Sequence, residues 1–374
     1  MAGIYVHIPF CKVKCHYCDF HFSIQQHNLN QLVEAIEIEL VSRKDYLDNE
    51  SVKTIYFGGG TPSILEPKLI EGLLNRIYQN YFVEEDCEIT LECNPDDLSE
   101  EKLFSLKSLG VNRLSVGVQS FDNQILKFMN RAHSKQQAIQ SIERAMACGI
   151  SNITIDLIYG VPNTTIKSWE KELYQMLNLG VPHLSAYCLT IEPNTVFGNW
   201  HKTGKLEPLA DQISLDQFQY LMEFMSLNGY EQYEISNFAK PEKISKHNSA
   251  YWKGDKYLGV GPSAHSYNQI ERGWNIANNP RYIKNIHNEE AIYTAEKLST
   301  QDRFNDYVLT RLRTKWGLVQ HEMEEISAKD AEKAVKILKG YIQSGEVLLK
   351  DDLFLLTNKG KYRADGISAD LFAD

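Results

Sequence analysis

No apolar run in the 374 residues approaches the ~20 that a membrane-spanning helix needs. The first residues hold no basic segment leading into an apolar stretch, so no secretion signal is expected. Positive charge is not in excess: 39 Lys and Arg face 49 Asp and Glu, a formal net charge of -10. Nucleic acid bound through a broad basic face is therefore not expected. Cysteine is sparse and unevenly placed, with three of seven bunched near the start. That distribution fits a reducing cytoplasm better than a disulfide framework. Low-complexity segments are missing, and so is any repeat beyond a strand–helix rhythm. Peripheral contact with a membrane stays open. What is present, 43% hydrophobic and 24% charged residues, suffices for a large core and more than one domain.

The bunched thiols lie in Cys11-Lys-Val-Lys-Cys15-His-Tyr-Cys18, just after the apolar run Ile4-Tyr5-Val6-His7-Ile8. Three thiolates on one short loop can hold a soft metal centre. A cubane usually takes four thiolates, so three would leave one iron open. A zinc site completed by His16 or His21 is the alternative. Two positions past Cys18, where a fourth thiol could follow, stands Phe20.

Short β-branched runs recur near Ile4–Ile8, Thr54–Phe57, Glu88–Glu92, Arg113–Gly117, Asn152–Leu157 and His183–Cys188. Between them lie stretches with helical spacing, such as Ile70, Leu73, Leu74 and Ile77. This order predicts an α/β fold with a parallel sheet and helices outside it. A complete eightfold barrel takes about 250 residues, and here the rhythm stops near Ile191. The expectation is an incomplete (β/α)6 barrel. A doubly wound sheet is the rival, although no Gly-x-Gly-x-x-Gly turn follows the first strand. Polar residues gather at the predicted carboxyl ends: Gly58-Gly59-Gly60-Thr61, Glu92, Gln119, Asp156 and Tyr187. In barrels that rim carries the chemistry. The glycines would let a ligand approach bare backbone, Glu92 and Asp156 could accept ribose hydroxyls, and Arg131 could clamp a carboxylate. Each also has a plain reading as a turn, a cap or a surface charge. Cys87, Cys93, Cys148 and Cys188 read as small buried apolar residues.

The cysteine loop followed by Gly58-Gly-Gly-Thr-Pro62 resembles the radical S-adenosylmethionine superfamily. Glu92-Cys-Asn-Pro-Asp96, Ser115-Val-Gly-Val-Gln-Ser-Phe121, Asn130-Arg-Ala-His133 and Asp156-Leu-Ile-Tyr-Gly-Val-Pro162 resemble its coproporphyrinogen dehydrogenase-like branch. The likeness runs in order from Tyr5 to about residue 370. It implies a [4Fe–4S] cluster on Cys11, Cys15 and Cys18, with S-adenosylmethionine chelating the open iron and cleaved there to a 5′-deoxyadenosyl radical. Zinc becomes the minor reading. By motif, Tyr5, Tyr17, Gly59, Gly60, Thr61, Glu92, Gln119, Arg131 and Asp156 would line the S-adenosylmethionine region.

The branch divides into dehydrogenases that oxidise coproporphyrinogen III and chaperones that carry heme. The dehydrogenases have a further cysteine where this chain has Phe20, and a long extension before the loop, where this chain has ten residues. His247-Asn248-Ser249-Ala250-Tyr251-Trp252 resembles the signature of the chaperone group. The resemblance implies a heme carrier serving respiratory hemoproteins, membrane-bound ones included. The enzyme remains the alternative, and radical chemistry on heme itself is a third reading. Heme would involve His247, Asn248, Tyr251 and Trp252. Imidazole is a common axial ligand, and the aromatic pair could pack flat on the macrocycle. A purely structural corner is the plain reading, and Cys188, Tyr187, His183 and His265 are further candidate ligands. Heme, recipient hemoproteins and a second copy of the chain are the expected partners.

The expected organisation is a partial barrel over 1–192, a connecting segment with the histidine signature over 193–300, and a last unit over 301–374. Helices through Leu309 and Leu338 precede a hairpin turning at Lys350–Asp352, which resembles a winged helix without a basic recognition stripe. Asp211 to Leu227 reads as a helix. Gly259-Val-Gly261 is too short a signal for a phosphate site.

Overall fold

The computed structural model describes residues 2–373. Six strands run parallel in chain order: β1 (Ala2–Ile8), β2 (Val52–Gly59), β3 (Val83–Cys93), β4 (Arg113–Gln119), β5 (Ile153–Tyr159) and β6 (His183–Cys188). Their crossovers carry α1 (Leu29–Ser42), α2 (Pro67–Asn80), α3 (Glu100–Ser108), α4 (Asn123–Phe128), α5 (Lys135–Ala147) and α6 (Ile166–Asn178). Local chemistry starts these helices. Ser134 with Gln137, and Thr165 with Ser168, close capping boxes on α5 and α6.

Successive strand residues point to opposite faces. One face is apolar: Ile4, Val6, Ile55, Phe57, Ile89, Leu91, Leu114 and Val116 are fully buried or nearly so in the core under the helices. The other face carries Tyr5, His7, Thr54, Tyr56, Glu88, Glu92, Arg113, Ser115, Thr154, Asp156, His183 and Ser185. The barrel interior is thus polar and aromatic, which an all-apolar packed barrel would not be.

Strand order decides between the two candidate topologies. A doubly wound sheet reverses at a switch point. Here β1 to β6 lie side by side in sequence order, the order of a barrel, and β6 does not close onto β1. The fold is an incomplete (β/α)6 barrel with a smaller unit at its carboxyl end.

The middle of the chain extends both edges of this sheet. After α7 (Val196–Lys202) and α8 (Asp211–Leu227), the hairpin of β7 (Glu231–Glu234) and β8 (Asn237–Ala239) adds antiparallel to β6. Then α9 (Lys246–Lys253) leads to β9 (Lys256–Val260), which pairs parallel with β1. Antiparallel β10 (His265–Tyr267), β11 (Glu271–Asn275) and β12 (Tyr293–Lys297) complete a twelve-stranded sheet, with α10 (Asn279–His287) before the last. Buried Glu39 on α1 fastens this side, accepting from Gly261 N (2.8 Å), Asn275 Nδ2 (2.8 Å) and the Tyr282 hydroxyl.

The last unit has its own core, built on Phe304, Val308, Leu338, Phe354, Ile367 and Leu371. It comprises α11 (Thr300–Leu312), β13 (Leu318–Val319), α12 (Gln320–Gln343), β14 (Val347–Lys350), β15 (Leu353–Leu356), α13 (Asn358–Lys361) and α14 (Ala364–Leu371). The predicted hairpin is present, with Asp351 at φ 57° in its turn. Lys315 N donates to Tyr233 O (3.0 Å) and Arg272 pairs with Asp306 (2.9 Å), joining the unit to the sheet.

Two sequence expectations need correction. The third strand is longer than Glu88–Glu92, reaching back to Val83. Cys188 is exposed rather than buried, because the last two residues of β6 leave the core at the strand's carboxyl end.

Candidate cofactor and ligand site

The cysteine loop is irregular backbone held from several sides. Lys12 pairs with Asp96 (2.7 Å), Asn130 Nδ2 donates to Lys14 O (2.8 Å), and His16 N donates to Met129 O (3.1 Å). The His16 ring bonds Phe128 O (2.8 Å) and meets Trp200 edge-on. His21 bonds Asn279 Oδ1 (2.8 Å). Each histidine proposed as a fourth zinc ligand thus has one ring nitrogen bonded away from the thiols. Among the described residues no three His, Cys, Asp or Glu side chains converge as a single-ion site would require. A cubane does not ask for that, since each thiolate binds a different iron. All three thiols are free of disulfides, and burial pushes Cys11 up to about 11. A thiol of that kind is protonated until a metal displaces the proton.

Arg131 sits against this loop. Its Nη1 lies 3.2 Å from Cys15 Sγ and 3.5 Å from the Tyr17 hydroxyl. Its Nη2 donates to Asn94 Oδ1 (2.6 Å) and Gly117 O (2.7 Å), while buried Nε has no partner among the described residues. The Thr61 hydroxyl is 3.5 Å from Cys11 Sγ and accepts from Asn94 Nδ2 (3.3 Å). Gln119, at φ 67°, brings its amide beside Gly117 and Arg131. Cys11, Cys15, Tyr17, Thr61, Gln119 and Arg131 are thus one neighbourhood. Asn94 joins Thr61 to Arg131, a role that the Asn-Pro-Asp turn by itself did not announce.

Glu92 accepts from the Tyr56 hydroxyl (2.7 Å) and Gly59 N (3.1 Å). Burial, helped by nearby Asp156, raises it to about 7. Asp156, bonded by Ser185 and Ser115, is raised by burial to about 6. Neither carboxyl has a salt bridge among the described residues. The glycine run packs differently from the expectation of an open backbone approach. A Cβ on Gly60 would lie 2.6 Å from Phe10 O, and one on Gly59, at φ +112°, 2.6 Å from the His7 ring. Glycine here lets strand β2 nest against the base of the cysteine loop. Three free thiols, an orphaned guanidinium nitrogen and two carboxyls without a salt bridge fit a [4Fe–4S] cluster with S-adenosylmethionine. Bound together, that pair supplies one-electron chemistry. Cys11, Cys15 and Cys18 would hold the cluster, with Arg131 beside Cys15 and Thr61 beside Cys11, and Glu92 and Asp156 would offer acceptors to hydroxyl or amino groups.

The histidine signature is helical, which puts His247 and Tyr251 on one face, but its four residues do not converge. His247 is buried, and both ring nitrogens are taken: Nδ1 by the Thr54 hydroxyl (2.7 Å) and Nε2 by the Tyr251 hydroxyl (3.0 Å). Burial and Arg113 lower it to about 3, so the ring is neutral. It stacks on Tyr56 at 4.8 Å. Asn248 bonds Tyr233. Trp252 faces Arg313 of the last unit, 5.9 Å from its ring. Tyr251 alone lines a cavity, of about 320 Å³, with Tyr5, His7, Phe20, His21 and His265 among its other walls. His183 is buried with both nitrogens bonded, to Thr154 (3.0 Å) and Tyr233 (2.8 Å).

The profile of the Radical SAM superfamily matches residues 5–173. A relative from Bacillus subtilis, named heme chaperone HemW, is 34% identical over 365 residues, 96% of either chain. One of the same name from Lactococcus lactis is 37% identical, covering 86% of this chain and 83% of its own. Among solved structures, coproporphyrinogen III oxidase (HemN) from Escherichia coli, a radical SAM enzyme, superposes with a TM-score of 0.86. The two are 25% identical, and the match covers all of this chain and 90% of that one. The cysteine loop, the mouth beside it and the full-length likeness agree, and the chain belongs to the HemW branch of the radical S-adenosylmethionine superfamily.

Proposed function

We propose that this protein is a heme chaperone: it binds heme and delivers it to hemoproteins, respiratory and membrane-bound ones among them. The observation that carries the proposal is 34% identity across 96% of a relative named for that role. In this reading Cys11, Cys15 and Cys18 hold a [4Fe–4S] cluster. S-adenosylmethionine lies among Tyr5, Tyr17, Gly59, Gly60, Thr61, Glu92, Gln119, Arg131 and Asp156. The work is cytoplasmic, with peripheral membrane contact at delivery; no helix among the described residues is long and apolar enough to cross a bilayer. A homodimer is compatible with this reading.

Oxygen-independent oxidation of coproporphyrinogen III, a step of porphyrin biosynthesis, is the second reading. The HemN likeness favours it. Phe20, standing where those enzymes carry a further cysteine, weighs against it. The anaerobically reconstituted protein, given S-adenosylmethionine, dithionite and coproporphyrinogen III, is expected to form no protoporphyrinogen. The same sample is expected to take up heme and pass it to a heme-free cytochrome. Steady protoporphyrinogen turnover would overturn the proposal.

A further inference from the structure

The cavity beside β1 brings aromatic walls together with an unengaged donor. Its floor and walls come from sequence-distant elements: Tyr5 and His7 of β1, Tyr251 of α9, Tyr257 of β9, and His265 opening β10. Phe20, 76% exposed, stands at its rim. Tyr251 and Tyr257 meet edge to face at 4.5 Å, and Tyr257 stacks on Tyr267 at 6.1 Å. Such walls offer apolar area with polar edges, as a porphyrin face requires. A volume of about 320 Å³ sits at the small end of ligand pockets. A tetrapyrrole would enter it only in part, with the rest left outside for a recipient to reach.

The histidines of this cavity differ in what they have free. His7 is bonded at both nitrogens, to the Tyr5 hydroxyl (3.0 Å) and His21 O (3.3 Å). His21 stacks on His7 with centroids 6.4 Å apart and bonds Asn279 through Nε2, which leaves only Nδ1 without a partner among the described residues. His265 is exposed, and neither ring nitrogen has a hydrogen-bond partner among the described residues. Its ring lies 6.3 Å from that of Trp274, on the neighbouring strand. Axial ligation needs an imidazole nitrogen with a free lone pair. His247 has none to give, since Thr54 and Tyr251 occupy both of its nitrogens.

Resting on the heme-chaperone reading, we infer that His265 is the axial ligand of the carried heme, which seats its edge against Tyr251 and Tyr257. His247 is then a positioning residue: it holds the Tyr251 hydroxyl and so fixes the cavity wall, one step away from the iron. The signature helix thereby acts on heme without touching the metal.

Ferric heme titration into the full chain tests this, read by Soret band, low-temperature EPR and affinity. Wild type is expected to bind one heme with an imidazole-ligated spectrum. His265→Ala should lose that spectrum and bind about tenfold or more weakly. His265→Gly with added imidazole should regain the spectrum, which a merely misfolded variant would not. His247→Gln should keep the spectrum and lose affinity only. If wild type takes up no heme, the chaperone reading falls and this inference with it. If wild type binds heme and the His265 variants keep spectrum and affinity, or if His21→Ala alone removes the spectrum, the ligand assignment is overturned and the chaperone reading survives.

Discussion

Glu88 and Glu92 stand four residues apart on one strand and point into the same barrel interior, yet their surroundings differ. Glu88, at the middle of the strand and farther from the mouth, is buried and fully engaged. It accepts from Lys246 N (3.1 Å), His247 N (3.0 Å) and Ser245 Oγ (3.4 Å), and faces Arg113 Nε at 3.9 Å. It caps α9 and so fixes the signature helix beneath the barrel. Glu92, near the mouth, has two donors and no cation, and its proton is held up to about 7. One carboxylate is committed to the fold. The other keeps capacity that a ligand can complete.

The largest expected effect breaks the committed end. Glu88→Ala removes the salt-bridge partner of buried Arg113 and strips the α9 amino terminus of its acceptor. Removing one partner of a buried pair costs about 3–5 kcal/mol, so urea unfolding should show a loss of that size. A loss below about 1 kcal/mol would mean that the two glutamates are not different in kind.

Gly60→Ala extends the comparison to the glycine run. Its Cβ would press on the Phe10 backbone. Overpacking of that kind costs about 1–3 kcal/mol, and the iron content after reconstitution should fall with stability. Full stability with weakened S-adenosylmethionine binding would instead make the glycines a ligand approach.

At the mouth the sign reverses. Glu92 has its folded pKa raised from the ordinary 4.5 to about 7, so the folded state holds the proton longer than the unfolded chain. Its stabilising contribution is full below pH 4.5 and is lost as pH rises through about 7. Glu92→Gln should therefore match wild type near pH 4 and exceed it by about 1–2 kcal/mol at pH 8 in the ligand-free protein. It should bind S-adenosylmethionine about tenfold more weakly. Asp156→Asn should repeat the pattern in a lower window, from 3.8 to about 6. Melts at the two pH values check both. The smallest effect is Phe20→Ala, expected to weaken heme binding only about threefold, by equilibrium titration.

The legible parts of this molecule are the ones encoded locally. The cysteine loop is a spacing, the six parallel strands are β-branched runs, and α8 is a periodic stretch from Asp211 to Leu227. Strands β8 to β12 escaped because they are short and mixed in polarity, and their pairing with β1 and β6 is set by distant partners. Glu39 is one more position of α1 by its spacing, yet it ties that helix to Gly261, Asn275 and Tyr282. The signature around His247 was visible as a motif. That its residues part ways, to Thr54, Tyr233, the cavity and Arg313, depends on where α9 docks. The freedom of His265 is a property of neighbours, and no sequence pattern carries it.

The most direct measurement is anaerobic reconstitution followed by heme titration, with iron, acid-labile sulfide and heme counted per chain. About four non-heme iron, four sulfide and one heme are expected, as a [4Fe–4S] carrier requires. One zinc per chain, no sulfide and no heme uptake would contradict the account.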